Sequence, residues 1–291
     1  ALYLGIRFAE PLKDAHRGVV DAVPAMKSLL FLAFAATLAA AAPRPNVVFF
    51  LIDDLGYADC GFNGGTDIKT PIIDKLAAQG AILENHYVQP VCSPTRSCLM
   101  TGRYVSHTGV YTIVRPHAKW GLPLEERTLA NALKDAGYTT AITGKWHLGE
   151  FEDAYKPTSR GFEHQHGHYF GAIDYFTHVR DGSHDWYHDD KELKEEGYST
   201  HLVAKEAVRL IKAQSKDKPL FLYMPFNGVH SPMQVPDSYL QPYGSLTGGR
   251  KQLAGMLGRD RLEGVDVLAA GVEAVPDGAF GVLVGQPGTH R

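Results

Sequence analysis

The run Asn46-Val47-Val48-Phe49-Phe50-Leu51-Ile52 constrains the fold more than any other stretch of the chain. It has the length of a strand, is β-branched or aromatic almost throughout, and shows no polar alternation. Such a run reads as a strand buried on both faces, the kind found in a parallel sheet covered by helices. It stops at Asp53-Asp54-Leu55-Gly56-Tyr57. Two adjacent carboxylates at the end of a buried strand are costly unless something neutralises them. Open α/β sheets bind ligands at that edge, and side-by-side carboxylates suit Ca²⁺ or Mg²⁺. A solvated turn with a capping Asp is the plainer reading of the same pair.

The rest of the chain repeats this plan. Thr70 caps a helix that starts at Pro71 and stops at Gly80, and Ala81 to Val88 reads as a strand. Leu124 to Ala136 has a helical apolar face, ended by Gly137, and Tyr138 to Thr143 is the next strand. Thr200 to Lys212 predicts an amphipathic helix with Val203, Ala207, Leu210 and Ile211 inward, followed by a buried strand from Pro219 to Met224. This alternation predicts an α/β fold with a mostly parallel sheet and helices on both faces. Residues 150–200 read as loop over the sheet edge, the usual place for substrate choice. The irregular spacing of His164, His166, His168, His178, His184 and His188 argues against a second metal site, and they read as surface or loop-packing residues.

A net charge of −3 gives no reason to expect a nucleic-acid partner. Three Cys among 291 residues make no disulfide scaffold, and whether Cys60 pairs with Cys98 stays open. Residues 1–25 read as an upstream extension. Met26-Lys27-Ser28, the apolar run Leu29 to Leu38 and the small residues Ala39 to Ala42 then form a signal-peptide pattern over 26–42. That run is too short to span a bilayer, so the expected route is the secretory pathway, to a secreted or lysosomal destination, with no membrane span after cleavage.

Three short segments carry chemistry. In Cys92-Ser93-Pro94-Thr95-Arg96, Ser93 reads as an N-cap and Pro94 as the first helical residue. That places Cys92 at the positive end of a helix dipole, with Arg96 one turn further on the same face. Nucleophile, anion hole and cation then fall within five residues, whereas a lone Cys would more commonly be a packed helix residue. In Gly144-Lys145-Trp146-His147-Leu148-Gly149, Lys145 and His147 flank Trp146, and an extended backbone would turn both to one side. His230 follows the strand ending at Met224 and so falls at the ligand-binding edge. Two exposed polar residues and a turn histidine are the plainer readings of these last two.

The stretch Cys92 to Arg103 fits C-x-P-[ST]-R-x-x-L-x-T-G-R and resembles the type I sulfatase signature. G-K-W-H-L-G at 144–149 resembles the second signature of that family, and Lys218 to Tyr223 with Val229 to Pro236 resembles a third segment. Within the family the likeness is nearest to the arylsulfatase B group, and it covers about residues 45–257. Thr95 and Thr143 are mild departures. The resemblance implies an alkaline-phosphatase-like fold, with 43–257 as a partial sulfatase N-terminal catalytic domain. It implies that the formylglycine-generating enzyme oxidises Cys92 to formylglycine, whose hydrate attacks sulfur. Asp53, Asp54 and the Cys92-derived oxygen would bind Ca²⁺, or Mg²⁺ in its place. Arg96 would support the nucleophile, Lys145 and His230 would bind sulfate, and His147 would contact the formylglycine hydroxyl. The substrate would be a sulfated carbohydrate or an aryl sulfate.

Two competing readings are a phosphoesterase of the same superfamily, whose nucleophile is typically Ser or Thr, and an inactive or glycan-binding remnant. The family also has an Asp-Asn pair completing the metal site and a late sulfate-binding Lys. No Asp-Asn dipeptide occurs in this chain, and 258–291 is Gly-, Val- and Ala-rich without a clear period. That segment is expected to be a divergent, unstructured tail. The metal would then be weakly held, the activity low and a sheet edge exposed.

Overall fold

The computed structural model describes residues 44–258, apart from 216, with side chains, and the backbone of 279–284. The upstream extension and the signal-peptide pattern lie outside the described residues. In chain order the strands are β1 (Val47–Ile52), β2 (Thr139–Lys145), β3 (His164–His168), β4 (Val179–Arg180), β5 (Ser183–His184), β6 (Tyr187–His188), β7 (Lys191–Glu192), β8 (Leu220–Pro225) and β9 (Ala279–Val284). The helices are α1 (Pro71–Gln79), α2 (Cys92–Thr101), α3 (Val105–Thr108), α4 (Leu129–Asp135), α5 (Ser199–Ala213) and α6 (Gly248–Leu257).

The main sheet runs β7-β6-β3-β2-β8-β1-β9. The five strands from β3 to β9 are parallel, and β6 and β7 add an antiparallel edge. Strand alternation sends Val48 and Phe50 of β1 to one face, where they meet Leu202, Val203, Ala207 and Ile211 of α5. Leu51 points to the other face with Phe221 and Tyr223 of β8, and packs with Met100 of α2 and Ala130 of α4. A third cluster, including Ile52, Ile73 of α1 and Met256 of α6, closes the end of the sheet where the site lies. The predicted α/β architecture, a mostly parallel sheet with helices on both faces, is the one observed.

Several boundaries differ from the sequence reading. Ala81 to Val88 is irregular, with Leu83 71% and Tyr87 75% exposed, because no strand pairs with it among the described residues. The helix expected from Leu124 begins at Leu129. Thr128 Oγ1 accepts from the Asn131 amide at 3.0 Å and Asn131 Oδ1 accepts from the Thr128 amide at 3.1 Å, a reciprocal cap that fixes the start. Residues 150–200 contain β3, a buried parallel strand hidden from pattern reading by its polar sequence His-Gln-His-Gly-His. Within the tail expected to be unstructured, Ala279–Val284 forms β9 and pairs in parallel with all of β1, Val47 opposite Ala279 and Ile52 opposite Val284. Its run of apolar residues suits a strand, and it covers the β1 edge that was expected to be exposed.

Candidate active site

The site forms where the parallel strands end. The ladder between β1 and β8 continues beyond both strands: Phe226 N donates to Leu51 O at 2.9 Å, Asp53 N to Gly228 O at 2.8 Å and Val229 N to Asp53 O at 2.7 Å. Asp53 is thereby tied to the turn that carries His230. On the other side of β8, β2 ends in Lys145. Its Nζ donates to Asp53 Oδ2 in a short ion pair, with the Lys145 side chain fully buried. Gly144, at φ +127°, packs so closely on the Pro225 carbonyl oxygen that no Cβ would fit.

Helix α2 supplies the other half. It starts at Cys92 with Val91 as N-cap, two residues earlier than expected, and Ser93 does not cap it. The Ser93 hydroxyl instead accepts from the Val114 amide at 3.0 Å and pins the 105–114 segment to the helix start. Thr95 Oγ1 donates toward Val91 O at 2.9 Å and Gln89 O at 3.0 Å, tying the helix to the strand-free segment before it. Arg96, one turn on, is buried. Its NH1 donates to Lys145 O at 2.8 Å and its NH2 lies 3.5 Å from Asp53 Oδ2. Arg96 Nε and NH2 make no hydrogen bond. A cleft opens among Asp53, Asp54, Gln89, Cys92, Thr95 and Arg96.

The electrostatics follow from this crowding. Burial works to raise Asp53, but Lys145, Arg96 and His230 outweigh it and hold the carboxyl below its usual range. Asp54, at φ +58° with a half-exposed side chain, is pushed up by burial and then by the Asp53 charge. His230 Nε2 lies 3.6 Å from Asp54 Oδ2, and its Nδ1 donates to Ser231 O at 2.6 Å. Burial also opposes charge on Cys92, yet a hydrogen bond to His230 and the Lys145 charge bring its thiol below the ordinary value. The same bond raises His230 against the effect of burial.

Asp53, Asp54, Cys92, Arg96, Lys145 and His230 therefore come together. His147 stands apart from the sequence expectation. The backbone leaves β2 at Lys145 and turns to φ +58° at His147, so the two side chains do not share a strand face. His147 Nε2 bonds to Val114 O at 2.9 Å and the ring rests against Gly171. Burial, then the Lys145 and Arg96 charges, keep it neutral well below its usual pKa. One residue was not singled out as a site residue from sequence: Asn227 is buried, and neither of its amide atoms has a hydrogen-bond partner. Its place just after β8, at the ligand-binding edge, was the available signal. Cys60, Cys92 and Cys98 are all free thiols.

Residues 45–257 match the model of the sulfatase family. The chain belongs to the sulfatase family. This sulfatase chain is similar to arylsulfatase J of Mus musculus, 41% identical over 224 residues that make up 74% of the chain and 37% of the relative. It is similar to N-acetylgalactosamine-6-sulfatase of Mus musculus, 34% identical over 240 residues, 74% of the chain and 46% of the relative. Among solved structures it is similar to Ps i-CgsB in complex with k-i-k-neocarrahexaose, with a TM-score of 0.72 and 33% identity over 80% of this chain and 55% of that one. The sulfatase chain thus spans less than half the length of these two curated relatives.

Proposed function

We propose that this sulfatase domain hydrolyses sulfate esters of sugars, with Cys92 as the precursor of the nucleophile. The observation that carries the reading is the pair of buried cations, Lys145 and Arg96, gathered on the single carboxylate of Asp53 beside Cys92 at the start of α2. Arg96 Nε, without a hydrogen-bond partner, is a donor available to an anion, while NH2 is turned to Asp53. The helix start adds backbone N–H groups of the same polarity. Lys145 and His230 hold sulfate oxygens, and Arg96 fixes Asp53 while adding charge to the oxyanion site. His147, bonded to Val114 O, ties the 105–114 segment to the end of β2.

Asp53 and Asp54 would hold the divalent cation, Ca²⁺ or Mg²⁺. Their hard oxygens suit it, and the raised Asp54 carboxyl is relieved by a positive charge. Bound there, the cation supplies acidity to the nucleophile and draws charge from the ester. Formylglycine at position 92, made by the formylglycine-generating enzyme, would supply a hydrated aldehyde, one hydroxyl to take the sulfate and the other to expel it. The signal pattern of Met26 to Ala42 supports a secretory route, to a secreted or lysosomal destination. No helix among the described residues is long and apolar enough to cross a membrane. A sugar sulfate is favoured because one relative is named for N-acetylgalactosamine 6-sulfate and one solved relative holds a carrahexaose. The exposed Tyr87, next to the Val88–Pro90 wall of the cleft, offers a sugar-stacking surface.

The test is peptide mass spectrometry and turnover on protein secreted with the generating enzyme. The Cys92 peptide is expected about 18 Da lighter, the replacement of a thiol by an aldehyde rather than a step up the thiol oxidation ladder. Nitrocatechol sulfate is expected to be hydrolysed faster than nitrophenyl phosphate. Unmodified Cys92 in the secreted protein, or preference for the phosphate, would overturn the reading.

A further inference from the structure

We propose a zinc site on the far edge of the sheet, formed by His164, His188 and Asp189. It is separate from the sulfatase centre and needs none of that centre's residues. The antiparallel pairing of β3 with β6 sets His166 opposite His188. His164, two residues before His166, lies on the same face of β3, and the His164 and His188 rings are 4.9 Å apart in an edge-on arrangement. The two central residues of the β6–β7 hairpin, Asp189 and Asp190, both have positive φ, +47° and +63°. That two-residue turn is the tight primed form, and it folds Asp189 back toward β3. Asp189 N donates to Gln165 O at 2.9 Å, and the Asp189 carboxylate accepts from Gln165 N at 2.9 Å. The carboxylate is therefore fixed between the two imidazoles. Asp189 Oδ1 is 3.2 Å from His164 Nδ1 and Oδ2 is 3.5 Å from His188 Nδ1.

The hydrogen bonding behind His164 decides which of its nitrogens faces the site. His164 Nε2 is 2.6 Å from Glu206 of α5. Glu206 is held as a carboxylate by Arg209, whose Nε and NH2 donate to its two oxygens at 2.8 and 2.6 Å. A carboxylate only accepts, so Nε2 carries the proton and donates. With Nε2 turned to Glu206, Nδ1 is the nitrogen that faces Asp189 Oδ1, at 3.2 Å. A cation between them turns that contact into ligation. This carboxylate–histidine arrangement is the support that metal-bound histidines commonly have. Two imidazoles and a carboxylate form a borderline donor set suited to zinc, with a water completing the tetrahedron.

The three ligand atoms lie within 4.8 Å of one another. A tetrahedral zinc sphere sets such atoms about 3.4 Å apart, so closure asks for about 1 Å of side-chain movement. His188 and Asp189 are each 44% exposed, which leaves an open path for the ion. The bound ion would clip the β6–β7 hairpin to β3 and, through Glu206, to α5. It would brace the segment that forms the sheet's antiparallel edge. The irregular spacing of these histidines in sequence hides the site, because strand pairing rather than proximity in sequence brings them together.

The experiment titrates the full chain with Zn²⁺ by calorimetry and with Co²⁺ by visible absorption, in the presence of saturating Ca²⁺. One equivalent is expected to bind, and Co²⁺ should give tetrahedral d–d bands without a thiolate charge-transfer band. H188A and D189N should each abolish binding or weaken it at least about tenfold. E206Q, which spares every ligand, should weaken it by about tenfold as well. C92A should bind zinc like the parent. No stoichiometric binding, binding unchanged in both H188A and D189N, or binding lost in C92A would overturn the proposal. D189N keeps the size of the side chain it replaces, so a folding defect in H188A does not leave the outcome undecided.

Discussion

Asp53 is the counter-charge for two buried cations, and that makes it the most sensitive residue of the cleft. Lys145 and Arg96 both reach its Oδ2, one from β2 and the other from α2. Removing one member of a buried ionic group leaves the others uncompensated. Asp53→Asn is therefore expected to cost about 3–5 kcal/mol of stability, measured by urea denaturation in the absence of divalent metal. A loss below about 1 kcal/mol would show that solvent already screens the pair. The thiols offer a second residue-scale check. The His230 hydrogen bond and Lys145 lower the Cys92 thiol against burial, whereas burial pushes Cys60 up to about 12. The thiolate is the reactive form, so in protein made without formylglycine conversion, iodoacetamide should label Cys92 first and Cys60 last. His230→Ala removes a contribution that lowers the Cys92 pKa. The labelling rate of Cys92 at neutral pH should then fall, and its pH profile should move to higher pH. Peptide mapping after timed quenching reads both effects.

At the scale of elements, the packing of β2 against the end of β8 sets the position of Lys145. Gly144 has φ +127°, and a Cβ there would collide with the backbone carbonyl of Pro225, which cannot turn aside as a side-chain tip can. Gly144→Ala should cost at least about 3 kcal/mol through combined strain and overpacking. The loss would show as a lower urea midpoint with an unchanged m-value. Since Lys145 is the next residue, the variant should also lose sulfate affinity. The helices tell a complementary story. α2 begins at Cys92 without a side-chain cap, so its first N–H groups stay free for an anion. In α4, by contrast, Thr128 and Asn131 use the same kind of groups for a structural cap. The difference between the two helix starts follows from whether a side chain or a ligand is there to accept.

For the molecule as a whole, the sheet has two differently protected edges. One is the short β6–β7 hairpin, where the strands are two residues long. The other is β9, which covers the full length of β1. Without β9, the apolar β1 would present an unpaired row of N–H and C=O groups, a template for pairing with other chains. A chain ending at Gly258 should therefore elute from a sizing column mainly as aggregate, while the 291-residue chain gives a larger soluble fraction under the same conditions. Equal solubility of the two would show that β9 does not protect the edge.

The sequence by itself determined β1 and β8, whose unbroken apolar runs are legible without a structure, and β2 from its place between the helix stop at Gly137 and the Gly144–Gly149 segment. It also marked Asp53, Asp54, Cys92, Arg96, Lys145 and His230, since each sits in a short motif or at a strand end where ligand-binding residues gather. Tertiary structure decided what depends on partners distant in sequence. His147 left the predicted shared face because the backbone turns after Lys145 and Val114 offers a carbonyl. β3 escaped notice because its residues are polar, and His164 and His166 find their carboxylate partners Glu206 and Glu195 far along the chain. β9 was passed over although Ala279–Val284 is an apolar run, because it lies in a Gly-, Val- and Ala-rich stretch and only its pairing with β1, far away in the chain, marks it as a strand. The histidines of β3 and β6 looked scattered for the same reason: strand register, which no local pattern encodes, is what brings His164, His188 and Asp189 to one point.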